Sequence, residues 1–142
     1  MKQASFSGRQ LVEGEARGQA LVSRKAFTFA HGVDPKSGEV TDIRSDIRGE
    51  KVKGRVLFYP YGKGSTTASA WFLETVRMGN APAAIVTGGT DLSAVIGSVL
   101  AKVVYGKTIP VLSSFPSDLY LDLNNQAQVM VKGAELARAK VG

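Results

Sequence analysis

Residues 62–69, GKGSTTAS, crowd two glycines, one lysine and four hydroxyl side chains into one segment. The segment follows the apolar run RVLFY and precedes WFLETVRM, whose apolar residues have helical spacing. A glycine-rich turn that opens a helix exposes amide N–H groups without partners, in the positive field of the helix dipole. Such a turn binds anions, and we predict that it holds a carboxylate or a phosphate. The predicted anion-binding residues are Gly62, Lys63, Gly64, Thr66 and Thr67.

A hydroxyl at the same turn could also serve as a catalytic base, because a field that binds an anion also stabilises an alkoxide. The competing interpretation is structural: Ser65 or Thr66 caps the helix and the glycines only form the turn. The segment is not a Walker loop, since Lys63 is followed by glycine, and it is not a GxSxG elbow. The residue types by themselves leave both interpretations open.

The second half of the chain alternates between predicted strands and predicted helices. Strands are predicted at residues 55–60, 81–89 and 107–114, and helices at residues 67–78 and 90–105. Thr90 is the predicted N-cap of the second helix, and Gly106 follows its end. This alternation predicts a small parallel sheet with helices packed on it.

The first half and the tail are predicted to be richer in strands and loops. Residues 16–23, ARGQALVS, form the clearest strand, and the charged segment 25–54 is expected to cover a surface or a site. Residues 1–7 are predicted to be a loose arm. The tail is predicted to turn at residues 124–125, to form a strand at 128–131 and to fray from residue 135. The whole chain, 1–142, is interpreted as one mixed β/β/α sandwich.

The composition narrows the chemistry that the chain can perform. It has no cysteine, which excludes disulfides, thiol catalysis and thiolate-bound metal clusters within the chain. His31 is the only histidine, and no second kind of ligand clusters beside it in the sequence, so no metal site is expected. The apolar stretch at residues 94–105 is too short and too interrupted to cross a bilayer. We therefore expect a soluble, cytoplasmic protein that does not bind membranes.

The formal charge of +6 is compatible with a solvated basic surface, a phosphate-bearing substrate or an acidic partner. Nucleic acid is a weaker candidate and is not expected, because the basic residues are scattered and no Lys/Arg run is interleaved with aromatic residues.

Three ordered motifs carry a resemblance to the small subunit of the aconitase X family: GVDPKSGEV at 32–40, GKGSTTAS at 62–69 and NAPAAIV at 80–86. The resemblance extends over residues 10–110. It implies an α/β swivelling β/β/α domain similar to the mobile domain of aconitase. The chain departs from the family pattern where Ala30-His31 replaces a frequent Trp-Gly and where Leu112-Ser113 replaces a frequent Asp.

The resemblance also implies a function. It implies a hydro-lyase that dehydrates (R)-5-phosphomevalonate to trans-anhydromevalonate 5-phosphate in an archaeal mevalonate pathway and is active only as a heterodimer with a large subunit. No cofactor is expected in this chain, and a 4Fe–4S iron–sulfur cluster is expected in the large subunit. Ser65 is the implied proton acceptor. The alternatives are a subunit of a cis-3-hydroxyproline dehydratase of the same family, or a non-catalytic docking or regulatory subunit.

Overall fold

The computed structural model describes residues 5–65, 67–118, 123 and 127–138. In chain order its elements are β1 (Ser5–Ser7), β2 (Arg9–Val12), β3 (Glu15–Val22), β4 (Val56–Tyr59), α1 (Ala68–Arg77), β5 (Ala84–Thr87), α2 (Leu92–Tyr105), β6 (Val111–Ser113), β7 (Gln128–Lys132) and β8 (Glu135–Arg138).

The predicted parallel sheet is confirmed: β3, β4, β5 and β6 are parallel neighbours in that order. All four residues of β4 and all four of β5 are buried, as their continuous apolar sequences predict for strands covered on both faces. Helix α1 connects β4 to β5, and α2 connects β5 to β6. Both helices pack against the same face of the sheet, and against each other.

Strand β3 joins the antiparallel strands of the sheet to the parallel ones. Its first part, Glu15 to Gln19, pairs antiparallel with β7, while Ala20 to Val22 pair with β4. The complete strand order is β1-β8-β7-β3-β4-β5-β6-β2. Gly18 lies where the partner strand changes, and a Cβ there would come 2.4 Å from the carbonyl oxygen of Gly54. Only glycine allows the backbones to approach this closely.

Two hydrophobic clusters occupy the two faces of the parallel strands. One lies under the helices and includes Leu21, Leu57, Ile85, Phe72 and Ala101, together with Phe27, Val33 and Val40 of the long segment after β3. The other joins the opposite strand face to β7 and β8 through Phe58, Val86, Leu112, Val129, Val131 and Leu136. The layers are therefore β, β and α, as the sequence and the resemblance predict.

Both chain ends carry more strand than predicted. Ser5–Ser7 forms β1 on the edge of β8, so the prediction of a loose arm is wrong for these residues. Glu135–Arg138 forms β8, paired with β7 and β1, so the predicted fraying is wrong there. Short segments of this kind become strands through pairing, which their own sequence does not encode. The predicted turn at 124–125 and residues 1–4 and 139–142 lie outside the described residues.

The C-terminal end of α2 follows the local sequence signal, but its N-terminal end does not follow the prediction. Gly106 ends α2 in the left-handed conformation at φ 67°, as predicted. The N-cap of α2 is Asp91 instead of the predicted Thr90, because the Asp91 carboxylate accepts the N–H of Ser93. Within the described part of the chain, no helix combines the length and apolar character that crossing a membrane requires.

Candidate active site

The loops that follow β4 and β5 meet at the carboxyl ends of these strands, where open α/β sheets bind their ligands. The first loop carries Ser65 into the start of α1, and the second carries Asp91 and Ser93 into the start of α2. The hydroxyl of Ser93 donates to the carbonyl oxygen of Ser65 across 3.1 Å. The hydroxyl of Ser69 donates to the carbonyl oxygen of Ser93, also across 3.1 Å. The two helix starts are thus joined by hydrogen bonds.

Ser65 is half-buried, and its side chain faces the first turn of α1. Its Oγ accepts the N–H of Thr67 at 3.3 Å and lies 3.0 Å from the Thr67 hydroxyl oxygen. Ser65 lines an open cavity of about 470 Å³ together with Gly64, Ser69, Leu92, Ser93 and Ile96. The N-cap of α1 is Thr67, which makes no side-chain capping hydrogen bond, so the interpretation of Ser65 as the helix cap is wrong. The N–H of Thr67 is a donor that would stabilise an alkoxide at Oγ of Ser65.

The two loop glycines have different structural roles. Around Gly62, the N–H of Phe27 donates to the carbonyl oxygen of Tyr61 at 3.1 Å, and the N–H of Lys63 donates to that of Phe27 at 3.0 Å. A Cβ on Gly62 would lie 2.5 Å from Cγ of Asp91, so no other residue fits without movement of that carboxylate. Gly64 has φ +70° and open space around it, so it is required for its backbone conformation.

Asp91 is a site residue that sequence reasoning missed. One carboxylate oxygen accepts the Tyr59 hydroxyl at 2.6 Å, and the other accepts the N–H of Ser93 at 3.1 Å. Asp91 thus ties the end of β4 to the start of α2. The sequence carried part of this signal, since an aspartate just before an apolar helix is a preferred N-cap. Its contact with Tyr59 had no sequence signal.

Lys63 does not present a free ammonium group to the cavity. Its Nζ lies 2.6 Å from Oδ2 of Asp42, which belongs to the long loop between β3 and β4. The hydrogen bond from Lys63 is the main reason that the pKa of Asp42 is held below its ordinary value, and the N–H of Arg44 adds to the effect. Part of the positive charge predicted for anion binding is therefore already compensated by a carboxylate.

The charged loop that holds Asp42 is anchored beside the site. Asp46 accepts the hydroxyl of Ser23 at 2.7 Å and the N–H of Arg24 at 2.8 Å, and both donors lie directly after β3. The loop therefore reaches the carboxyl ends of the parallel strands, as expected of a segment that covers a site.

The remaining predicted residues lie apart from Ser65 or serve local structure. His31 is exposed, has φ 57°, and its ring centroid lies 4.5 Å from that of Trp71. Asp34 caps its turn by accepting the N–H of Lys36. Ser113 is buried at the end of β6. Thr66 lies outside the described residues.

The residues present do not fit an iron–sulfur cluster. The sequence has no cysteine to supply thiolate ligands. Among the residues that the structure describes, no group of three or more His, Cys, Asp or Glu side chains could hold a metal ion.

Comparison with known proteins settles the family. Residues 5–138 match the family model described as the aconitase X swivel domain. The chain belongs to the aconitase X swivel-domain family. Over 97% of its length, this swivel domain superposes on the whole of one chain in the crystal structure of Thermococcus kodakaraensis aconitase X in its holo form, with a TM-score of 0.86 and 32% identity. The predicted family and the swivelling β/β/α fold are therefore confirmed.

Two curated relatives have names that state an activity. The swivel domain is 43% identical over 98 residues to the phosphomevalonate dehydratase small subunit of Thermococcus onnurineus, covering 69% of this chain and 75% of that one. It is 38% identical over 103 residues to the cis-3-hydroxy-L-proline dehydratase of Pseudomonas aeruginosa. The aligned residues make up 72% of this chain but only 18% of that protein. In the second relative, the matching region is therefore one part of a much longer chain.

Proposed function

We propose that this swivel domain is the small subunit of a hydro-lyase that dehydrates (R)-5-phosphomevalonate to trans-anhydromevalonate 5-phosphate, and that Ser65 is its base. The observation that carries the proposal is the position of Ser65. Its Oγ lies at the start of α1, beside an open cavity, with the N–H and hydroxyl of Thr67 at 3.3 and 3.0 Å. The name of the Thermococcus onnurineus relative supports the choice of substrate.

The reaction needs one proton acceptor and one site that activates a leaving hydroxyl group. The base removes a proton from C2 of the substrate, hydroxide leaves C3, and a double bond forms between C2 and C3 as water is released. A serine hydroxyl is a poor base unless its alkoxide is stabilised. The Thr67 N–H and the positive end of α1 supply that stabilisation at Ser65.

The phosphate or the carboxylate of the substrate is assigned to the turn formed by Gly62, Lys63 and Gly64, with Thr66 and Thr67 adding donors. Gly64 leaves open space above the turn, so an anion can approach the backbone. Lys63 contributes to anion binding only when its ammonium group leaves Asp42 and binds the substrate anion instead. The Lys63 side chain is 37% exposed, so it is accessible to an anion from the solvent.

The group that activates the leaving hydroxyl is assigned to a large subunit, which we expect to hold the iron–sulfur cluster. This chain contains no cysteine, and the relative from Thermococcus onnurineus is named a small subunit. The swivel domain would then contribute the base and the anion contacts, and the active site would be complete only in the heterodimer.

The deciding experiment compares Ser65→Ala with Ser37→Ala in the complex of this chain with the large subunit from the same organism. The two serines are matched, because each Oγ accepts the N–H of the residue two positions ahead. Ser37 adjoins Gly38, which packs against Asn80 beyond the opposite end of α1. We expect Ser65→Ala to lower kcat by about 100-fold or more, as for loss of a general base, and Ser37→Ala to have little effect.

Two outcomes would revise the proposal. Near-normal turnover by Ser65→Ala would show that the domain docks or regulates without supplying the base. Turnover of cis-3-hydroxy-L-proline, with none of phosphomevalonate, would assign the chain to the activity named for the Pseudomonas aeruginosa relative. Both substrates are therefore assayed with the same preparation, and subunit assembly is checked for each variant by size-exclusion chromatography.

A further inference from the structure

Helix α2 has an apolar outer face. The sequence of the helix, LSAVIGSVLAKVVY, contains one charged residue, Lys102. Six large aliphatic side chains of α2 are exposed, with Val103 at 77% and Leu92 at 65% of their full exposure. We call the set the α2 surface; it consists of Leu92, Ile96, Val99, Leu100, Val103 and Val104. At about 100° per residue, these side chains lie within an arc of about 140° around the helix.

The inner face of α2 is built from small residues. Its buried residues are Ala94, Gly97, Ser98 and Ala101. A Cβ on Gly97 would lie 2.5 Å from the ring of Phe72 on α1, so the close packing of the two helices requires a glycine there. The helix thus places its small residues against the domain and its large apolar residues outward. A helix that is apolar all round is ordinarily buried on all sides.

The α2 surface is continuous with the candidate active site. Leu92 and Ile96, at its start, line the same cavity as Ser65. Any partner that completes a reaction at Ser65 must approach this edge of the domain, and Leu92 would be among the first side chains that it meets. Contiguous exposed apolar surface on a folded domain is typical of an interaction site such as a protein interface.

We infer that the α2 surface is the docking site for the large subunit, which would present a complementary apolar groove. The inference rests on the proposed function, because it takes its partner from there. The longer Pseudomonas aeruginosa relative supports a protein occupant, since its matching region makes up 18% of a single chain. A domain that is tethered to, or paired with, a larger chain has a constant partner to cover such a surface.

The test measures the affinity of the full chain for the large subunit from the same organism, by isothermal titration calorimetry or gel filtration. Val103→Asp is the variant, and Gln128→Asp is its control. Both substitutions add one negative charge at an exposed position, but Gln128 lies on β7, in the outer strand layer. We expect Val103→Asp to raise the Kd at least about tenfold, because a charge would be buried in an apolar interface. The control should leave the Kd unchanged.

A catalytic effect is separated from a docking effect by adding large subunit to saturation. Val103→Asp should then recover the turnover of the wild-type complex, because Val103 is not among the residues that line the cavity around Ser65. Thermal unfolding of the isolated variant should match the wild type, since the side chain is exposed.

The possible failures are distinguishable. If the wild-type chain does not bind the large subunit, the proposed function fails. If the wild-type chain binds and Val103→Asp binds equally well, the docking inference is overturned while the proposed function stands. If the isolated wild-type chain is a dimer that Val103→Asp converts to a monomer, the surface pairs two copies of this chain and the inference is also overturned.

Discussion

The ammonium nitrogen of Lys63 lies 2.6 Å from a carboxylate oxygen of Asp42, across 21 residues of sequence. This ion pair joins the turn after β4 to the charged loop after β3. The turn was predicted to bind anions, but the ammonium group of its lysine is already paired with the Asp42 carboxylate. Substrate binding by Lys63 is therefore a competition between the substrate anion and the Asp42 carboxylate.

The first prediction concerns this competition. Lys63→Ala should raise the KM for the phosphorylated substrate about tenfold with little change in kcat, because a charge-assisted hydrogen bond is lost. Asp42→Asn should not raise the KM, because it removes the competing carboxylate. Steady-state kinetics of the assembled enzyme provide the measurement, with Lys36→Ala as a control that removes a lysine from an exposed turn. An unchanged KM in Lys63→Ala would show that the lysine does not bind the substrate anion.

The second prediction is the pH dependence of the same pair. The pKa of Asp42 is lowered in the folded chain by the Lys63 hydrogen bond, so the unfolded chain binds the proton more readily. The pair therefore contributes stability above the ordinary pKa of an aspartate, about 3.9, and loses it as the pH falls through the lower folded value. Because both side chains are partly exposed, the contribution should be at most about 1 kcal/mol.

Urea unfolding of the wild type and Asp42→Asn at pH 7 and at pH 3 measures this contribution. The difference between their free energies of unfolding should be present at pH 7 and smaller at pH 3. A difference that grows on acidification would show that the pair is not formed in solution.

The third prediction concerns the close approach of Gly62 to Asp91. A Cβ at residue 62 would meet the carboxylate at 2.5 to 2.7 Å and displace it from Tyr59 and Ser93. Gly62→Ala should therefore cost about 1–3 kcal/mol of stability and reduce turnover. The matched control is Gly89→Ala on the neighbouring loop, where the added Cβ would have its nearest contacts at 3.9 and 4.0 Å. Equal melting temperatures for Gly62→Ala and the control would contradict the packing argument.

The fourth prediction tests whether Ser93 positions Ser65. Ser93→Ala removes the hydrogen bond to the Ser65 carbonyl and should lower kcat about tenfold while leaving KM nearly unchanged, because the base is misplaced and the anion turn is not. Ser93→Thr keeps a hydroxyl and should restore most of the activity. If Ser93→Ala lowers only the thermal stability, the hydrogen bond has a structural role alone.

Much of the layered architecture follows from local sequence patterns. VLFY and AIVT are continuous apolar runs, and each forms a strand buried on both faces. Gly106 ends α2 because glycine adopts the left-handed conformation without a steric cost. The glycine and hydroxyl residues at 62–69 also predicted the strand-to-helix turn. Helix capping and the need for glycine in a tight turn both depend on residues only a few positions apart.

The residues that complete the site are joined over longer distances. Asp91 meets Tyr59, Ser93 meets Ser65, and Asp42 meets Lys63, each pair being separated by more than 20 positions in sequence. These contacts exist because parallel pairing of β3, β4 and β5 brings the carboxyl ends of the three strands together, and no local pattern encodes that register.

The sequence by itself therefore determined the family, the parallel strands, both helices and the turn that holds Ser65. The tertiary structure decided the partners of that turn, the strand at Glu135–Arg138 and the outward position of the large residues on α2. The physical reason is the distance in sequence over which each interaction acts. Backbone conformation and helix capping depend on neighbouring residues. Ion pairs, strand edges and the choice of buried helix face depend on which distant segments pack together.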